Sequence, residues 1–140
     1  MKRYIIVLML AIASVSANCQ PIKVPAAVKT AFSAKYPAAT HVKWGKENAK
    51  EYEAEFKLNN NSLSANFGQD GSWVETESVI PAAQLPEAVT AAVKAKYPGV
   101  VISLAEKTEQ PGNKVLYEIS VKVNGKKKSM ELNPDGTAAE

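Results

Sequence analysis

The chain has 140 residues, 46% of them hydrophobic and 22% charged, with a formal charge of +3, one cysteine and one histidine. A single cysteine excludes an internal disulfide framework, and a single histidine excludes a His-rich metal site. The length suits one domain, and neither half alone is long enough to be comfortably stable, because small chains bury too little of their surface.

The N-terminus has the layout of an export signal. Lys2 and Arg3 supply positive charge, Tyr4 to Ala13 is almost unbroken apolar sequence, and small and polar residues follow. The apolar run is about half the roughly twenty residues that a bilayer span needs, so no retained transmembrane helix is expected. Residues 1–17 are read as a signal peptide cut before Asn18, and residues 18–23 as an N-terminal linker. In the alternative, Cys19 is lipidated and becomes the first mature residue, which would give the protein a membrane anchor. Removal of residues 1–17 takes away two basic residues and no acidic ones, leaving fifteen basic against fourteen acidic. Such a balance lacks the clustered basic footprint of a nucleic-acid-binding protein.

An internal repeat organises the remainder. Val24–Pro37 and Leu85–Pro98 are identical at eight of fourteen positions. Downstream, Tyr52, Leu58, Phe67 and Asp70-Gly71 align with Tyr117, Val123, Leu132 and Asp135-Gly136. The offset grows by four across the loop around Gln110-Pro111-Gly112-Asn113. The two copies are placed at 24–80 and 81–137.

Each copy opens with a helix. Pro25 and Pro86 suit a first helical turn, and Pro37 and Pro98 stop the helices. Val28, Ala31, Phe32 and Tyr36 form one apolar stripe, and Val89, Ala92, Val93 and Tyr97 form the other. His41–Trp44 and Val101–Leu104 read as first strands. Glu51–Leu58 then alternates, with Tyr52, Ala54, Phe56 and Leu58 on one face and Glu51, Glu53, Glu55 and Lys57 on the other. Leu116–Val123 repeats the alternation, the mark of half-buried antiparallel strands. Return strands follow at Leu63–Phe67 and Ser129–Leu132, and Asp70-Gly71 and Asp135-Gly136 read as tight turns. Trp73–Val79 is a further strand whose counterpart in the second copy is short or missing. The fold class is α+β: two tandem repeats, each with one helix packed on a three- to four-stranded antiparallel sheet. Whether the sheets join is left open.

The L/V-P-x-A-V helix ending in K-Y-P, the Y-E strand and the D-G turn together resemble the PepSY-like proteins, which are related in architecture to the β-lactamase inhibitor protein. The resemblance rests on Pro25, Val28, Tyr36, Pro37, Trp44, Tyr52, Asp70, Gly71 and Trp73. In the second copy it rests on Pro86, Val89, Tyr97, Pro98, Tyr117, Asp135 and Gly136. It implies a secreted or periplasmic, non-enzymatic protein and, through the family's name, an inhibitory role. No inhibitory residues carry over, because the matching positions look structural.

No phosphate loop, nucleophile elbow or catalytic set is recognisable, and no cofactor is implied. His41 reads as solvated surface, and Lys122, Lys126, Lys127 and Lys128 as guards of an exposed strand. Trp44 reads as core, whereas Trp73, just after a turn, fits either core or a binding surface. Glu51, Glu53 and Glu55 line one strand face and Glu75 and Glu77 join them from a neighbour, with Lys43, Lys46 and Lys57 expected to balance them. With Trp73, these glutamates are the candidate partner-binding residues. The expected function is a non-enzymatic protein-binding module, an inhibitor or regulator of an unidentified envelope enzyme. The alternative is a metal- or small-ligand-binding periplasmic protein using the acidic face.

Overall fold

The computed structural model describes residues 22–139, so the signal segment and Cys19 lie outside the described residues. Helix α1 spans Ala26–Lys35 and α2 spans Glu87–Lys96. Seven strands follow the chain: β1 Thr40–Lys46, β2 Glu51–Leu58, β3 Asn61–Gly68, β4 Trp73–Val79, β5 Ile102–Gln110, β6 Lys114–Val123 and β7 Lys126–Leu132. They form one antiparallel sheet in sequential order. The protein is therefore α+β, and the question of two sheets or one is settled by β4 pairing with β5 from Thr76↔Glu109 to Val79↔Glu106.

Both helices are alanine-rich, which favours the helical state at little entropic cost. Pro25 and Pro86 sit at the N-cap, one residue before the first helical turn expected for them. Tyr36 and Tyr97 close the last turns, their N–H groups donating to the carbonyls of Phe32 and Val93. The first strands are longer than their apolar segments suggested. β5 runs on through Glu106 and Thr108 to Gln110, because β6 supplies a pairing partner over that whole length.

The two helices lie on the same face of the sheet, and two separate cores form beneath them. Val28, Phe32 and Tyr36 pack with Tyr52, Ala54, Phe56, Ala65 and Phe67. Val89 and Val93 pack with Ala105, Tyr117, Ile119, Val121 and Leu132. Register explains why the cores do not merge: the intervening helix-side positions of β4 and β5 are Ser78, Lys107 and Glu109. Lys107 and Glu109 form an ion pair of 2.5 Å in that seam.

The first core is aromatic. The Phe32 ring lies 5.2 Å from that of Trp44 and 5.1 Å from that of Phe56, both edge to face. At its margin Tyr36 and Thr76 share a hydroxyl–hydroxyl hydrogen bond, and Trp73 Nε1 donates to Thr76 Oγ1 over 3.0 Å. Burial raises the Tyr36 phenol, and the Thr76 bond partly offsets this.

Each D-G turn lies against the start of a helix, Gly71 beside Ala27 and Gly136 beside Ala88. Asp70 Oδ1 accepts from the backbone N–H of Ser72 at 2.9 Å and from its hydroxyl at 2.6 Å, and Asp135 makes the same pair of contacts with Thr137. These bonds hold both carboxyls below the usual range. After the second turn the described residues form one isolated bridge, Leu132↔Ala138. Edge strand β7 carries the exposed Lys126, Lys127 and Lys128, in keeping with lysines that block edge-to-edge pairing. His41 is exposed, at φ 54° in the irregularity between Thr40 and Lys43. Its ring Nδ1 lies 3.2 Å from Thr40 Oγ1.

Candidate functional site

The sheet face opposite the helices is uncovered by any other element among the described residues. Register sets out its side chains in rows. One row runs Glu53–Asn66–Glu75, and the next runs Glu55–Ser64–Glu77–Thr108. A third runs Glu106–Glu118–Glu131 across β5, β6 and β7, three carboxylates directly opposite one another. Like charges in such positions repel, so this arrangement costs stability.

Amide side chains organise the first row. Asn66 Nδ2 donates to Glu75 Oε1 at 3.2 Å, and Gln110 Nε2 donates to Glu75 Oε2 at 3.0 Å. Glu75 is thereby held from both sides. Glu77 receives only a long contact from Ser64 Oγ, at 3.5 Å. Asn66 is 7% exposed, and its Oδ1 has no hydrogen-bond partner. A buried acceptor left unpaired costs about 1–3 kcal/mol, which marks the position as unusual.

The lysines expected to balance these glutamates do not do so. Lys43 and Lys57 share the face, opposite Glu55 and Thr40 respectively, but form no ion pair. Lys46 points to the other face, beside Tyr52, with its Nζ 5.5 Å from that ring. Among the described residues the one ion pair is Lys107–Glu109, in the helix-side seam. Burial and mutual repulsion therefore outweigh the lysines that act from a distance, Lys127 on Glu106 and Lys114 on Glu131. Burial raises Glu53, with Glu47 and Glu55 adding to it. Burial likewise raises Glu106 and Glu131, and Glu118 raises both further. Glu77 moves furthest: burial, then repulsion from Glu75, Glu106, Glu53 and Glu47, pushes its carboxyl from 4.5 up to about 7.

The candidate residues divide. Glu53, Glu55, Glu75 and Glu77 come together on the open face. Glu51 lies at its end and accepts from Asn48 Nδ2 at 2.7 Å. Trp73 is not with them. A bulge between Asn66 and Phe67 places Trp73 opposite Phe67, on the helix side, where Lys35 Nζ stacks 3.5 Å from its ring centroid. Asn66, Gln110, Glu106, Glu118 and Glu131 were not singled out in the sequence. The alternation of β6 does place Glu118 opposite Tyr117 and Ile119, and an extended reading of β5 would have added Glu106.

A family model described as "Putative beta-lactamase-inhibitor-like, PepSY-like" matches residues 15–63 and 50–137. The chain belongs to this PepSY-like family. Its fold is shared with several solved structures. One is a "putative periplasmic" protein from Bacteroides eggerthii, 22% identical, with a TM-score of 0.76 over 85% of this chain and 88% of that one. A DUF2874 family protein from Bacteroides ovatus is 24% identical, with a TM-score of 0.76 over 85% and 86%. A BLIP-like protein from Bacteroides fragilis is 23% identical, with a TM-score of 0.73 over 86% of each. At these identities the likeness shows the fold alone. No curated protein matches the chain. Among the described residues no helix is long and apolar enough to cross a membrane.

The charge pattern of this PepSY-like sheet makes stability depend on pH in a defined direction. The Glu77 pKa is higher folded than unfolded, so its contribution is intact below about pH 4.5 and is lost as pH rises through 7. Solvent screening at this half-exposed position limits the loss to about 1–2 kcal/mol. Glu77→Gln is therefore expected to stabilise the protein by about that amount at pH 8 and to have little effect at pH 4.5. Urea unfolding at the two pH values checks this, and equal effects at both would contradict it.

Proposed function

We propose that the protein is an exported, non-enzymatic binding module of the cell envelope, built from two copies of one helix-on-sheet unit at 24–80 and 81–137. In this reading residues 1–17 direct export, and the module acts as an inhibitor or regulator of an envelope enzyme. The observation that carries the reading is the open sheet face, where half-buried carboxylates crowd together at a cost to stability and form no ion pairs among the described residues. Proteins retain such costs where a surface has work to do. A broad open face on a seven-stranded sheet suits contact with another protein better than enclosure of a small substrate. The family's description, inhibitor-like, agrees with a protein partner. A metal-binding reading of the same face is less well supported, because no three His, Cys, Asp or Glu side chains converge on a metal position among the described residues.

The test is crosslinked capture from cell-envelope extract with the chain from residue 18 onward as bait. A discrete enzyme is expected among the captured proteins, and Glu53→Lys with Glu55→Lys is expected to abolish its capture by at least tenfold, since reversed charges opposite a complementary surface cost several kcal/mol. Capture that survives the reversal, or no capture under any condition, removes the open-face reading.

A further inference from the structure

The open face also indicates what kind of chemical group it receives. At its centre, Asn66 uses its Nδ2 on Glu75, and its Oδ1 is a buried acceptor without a donor. Glu53 lies directly opposite Asn66 on β2, and Glu77 stands one row away on β4. Glu75 is already satisfied by two amide donors, whereas Glu77 has only the long Ser64 contact. The patch is therefore rich in negative charge and short of hydrogen-bond donors. Its carboxylates do not converge on one point, as a metal ion would require. The missing group must be positive, must carry several donors, and must reach across neighbouring strands. A guanidinium has these properties: it is planar, always charged, and presents five N–H donors in a rigid fork.

We propose that this patch seats an arginine side chain carried by a cationic segment of a partner protein, its guanidinium lying between Glu53, Asn66 and Glu77. The proposal rests on the open-face reading above and deepens it by naming the partner's chemistry. Asn66 Oδ1 accepts one N–H, and the two carboxylates accept the others and lose their mutual repulsion. Lysine serves less well, because a compact ammonium cannot bridge strands in a fixed plane.

Protons compete for the same place. Glu77 faces Ser64 and Asn66 from β3, Glu106 and Thr108 from β5, and Glu53 and Glu55 from β2. Three lysines share the face around it: Lys43 on edge strand β1, Lys57 on β2 and Lys114 on β6 opposite Gln110, and none forms an ion pair with Glu77. With Glu77 taking up a proton as pH falls through about 7, a bound cation must displace that proton. Affinity is therefore lower in mild acid than in mild base.

The experiment is calorimetric titration of the purified protein with a hexa-arginine peptide at 0.15 M salt, at pH 8 and pH 5.5. Saturable binding is expected at pH 8, weaker by about tenfold at pH 5.5. Glu77→Gln is expected to weaken it similarly at pH 8, and hexa-lysine to bind several-fold more weakly. Glu87→Gln, on the exposed start of α2, is expected to change nothing. Asn66→Ala, checked by circular dichroism for an unchanged fold, is expected to lose affinity without losing the pH dependence. No binding at pH 8, binding indifferent to Glu77→Gln and to pH, or calcium chloride competing fully for the site would each overturn the proposal. Envelope capture that depends on Glu53 and Glu55 without arginine-peptide binding sinks this inference alone. Peptide binding without any envelope partner sinks only the functional reading.

Discussion

Phe32→Ala is expected to destabilise the protein by about 3–5 kcal/mol, the range for losing a large aromatic from a packed core. Phe32 is 5% exposed and lies at the centre of the first core. Its ring is 5.4 Å from Tyr36, 5.2 Å from Trp44, 5.1 Å from Phe56 and 6.1 Å from Phe67. Truncation leaves a cavity walled by rings on α1, β1, β2 and β3, which belong to rigid elements and cannot all collapse inward. The aligned position in the second helix is Val93, 1% exposed, which removes less volume on truncation. Val93→Ala is expected to cost about 2 kcal/mol. Denaturant unfolding of both variants checks the order. A Phe32→Ala cost no larger than that of Val93→Ala would show that the aromatic cluster is not the main anchor of α1.

Gly136→Ala comes next, at about 3 kcal/mol. Two costs combine. Gly136 has φ 82°, a left-handed conformation that costs an L-residue about 1–2 kcal/mol. A methyl there would also stand 2.5 Å from the Ala88 carbonyl oxygen in the first turn of α2, and a shift in packed structure adds about 1–3 kcal/mol. Gly71 repeats the arrangement against Ala27, at 2.8 Å and φ 87°, so Gly71→Ala is expected to behave alike. Gly125 has a similar φ, 78°, but open space around it, and Gly125→Ala should show the conformational cost alone. Thermal unfolding of the three variants separates the two costs. Equal losses at all three positions would contradict the docking of the D-G turns onto the helix starts.

The D-G pairs were legible in sequence because a turn is a local matter, fixed by a few neighbouring residues. The helix stripes were legible for the same reason: Val28, Phe32 and Tyr36 are buried at the spacings that a 3.6-residue period demands. Contacts between distant segments were not legible. Nothing near Tyr36 announces a hydroxyl partner at Thr76, and nothing local to Val79 announces pairing with Glu106. Trp73 shows the limit most clearly. Strict alternation puts it in phase with Glu75 and Glu77, and one extra residue in the ladder moves it to the opposite face. Asn66 was hidden by composition. It alternates with Ser62 and Ser64 on the polar side of β3, and its burial comes from the neighbouring strands that flank it with Glu53 and Glu75.

The uncovered glutamate face is the central claim, and site-specific photocrosslinking tests it most directly. A photoreactive residue would be placed at Ser62 or Thr108 on the open face, and at Lys29 or Lys94 on the helices, and each protein would be irradiated in envelope extract. The account predicts a discrete adduct from the open-face positions and none from the helix positions. Adducts from the helices alone would contradict it and move the working surface to the other side of the sheet.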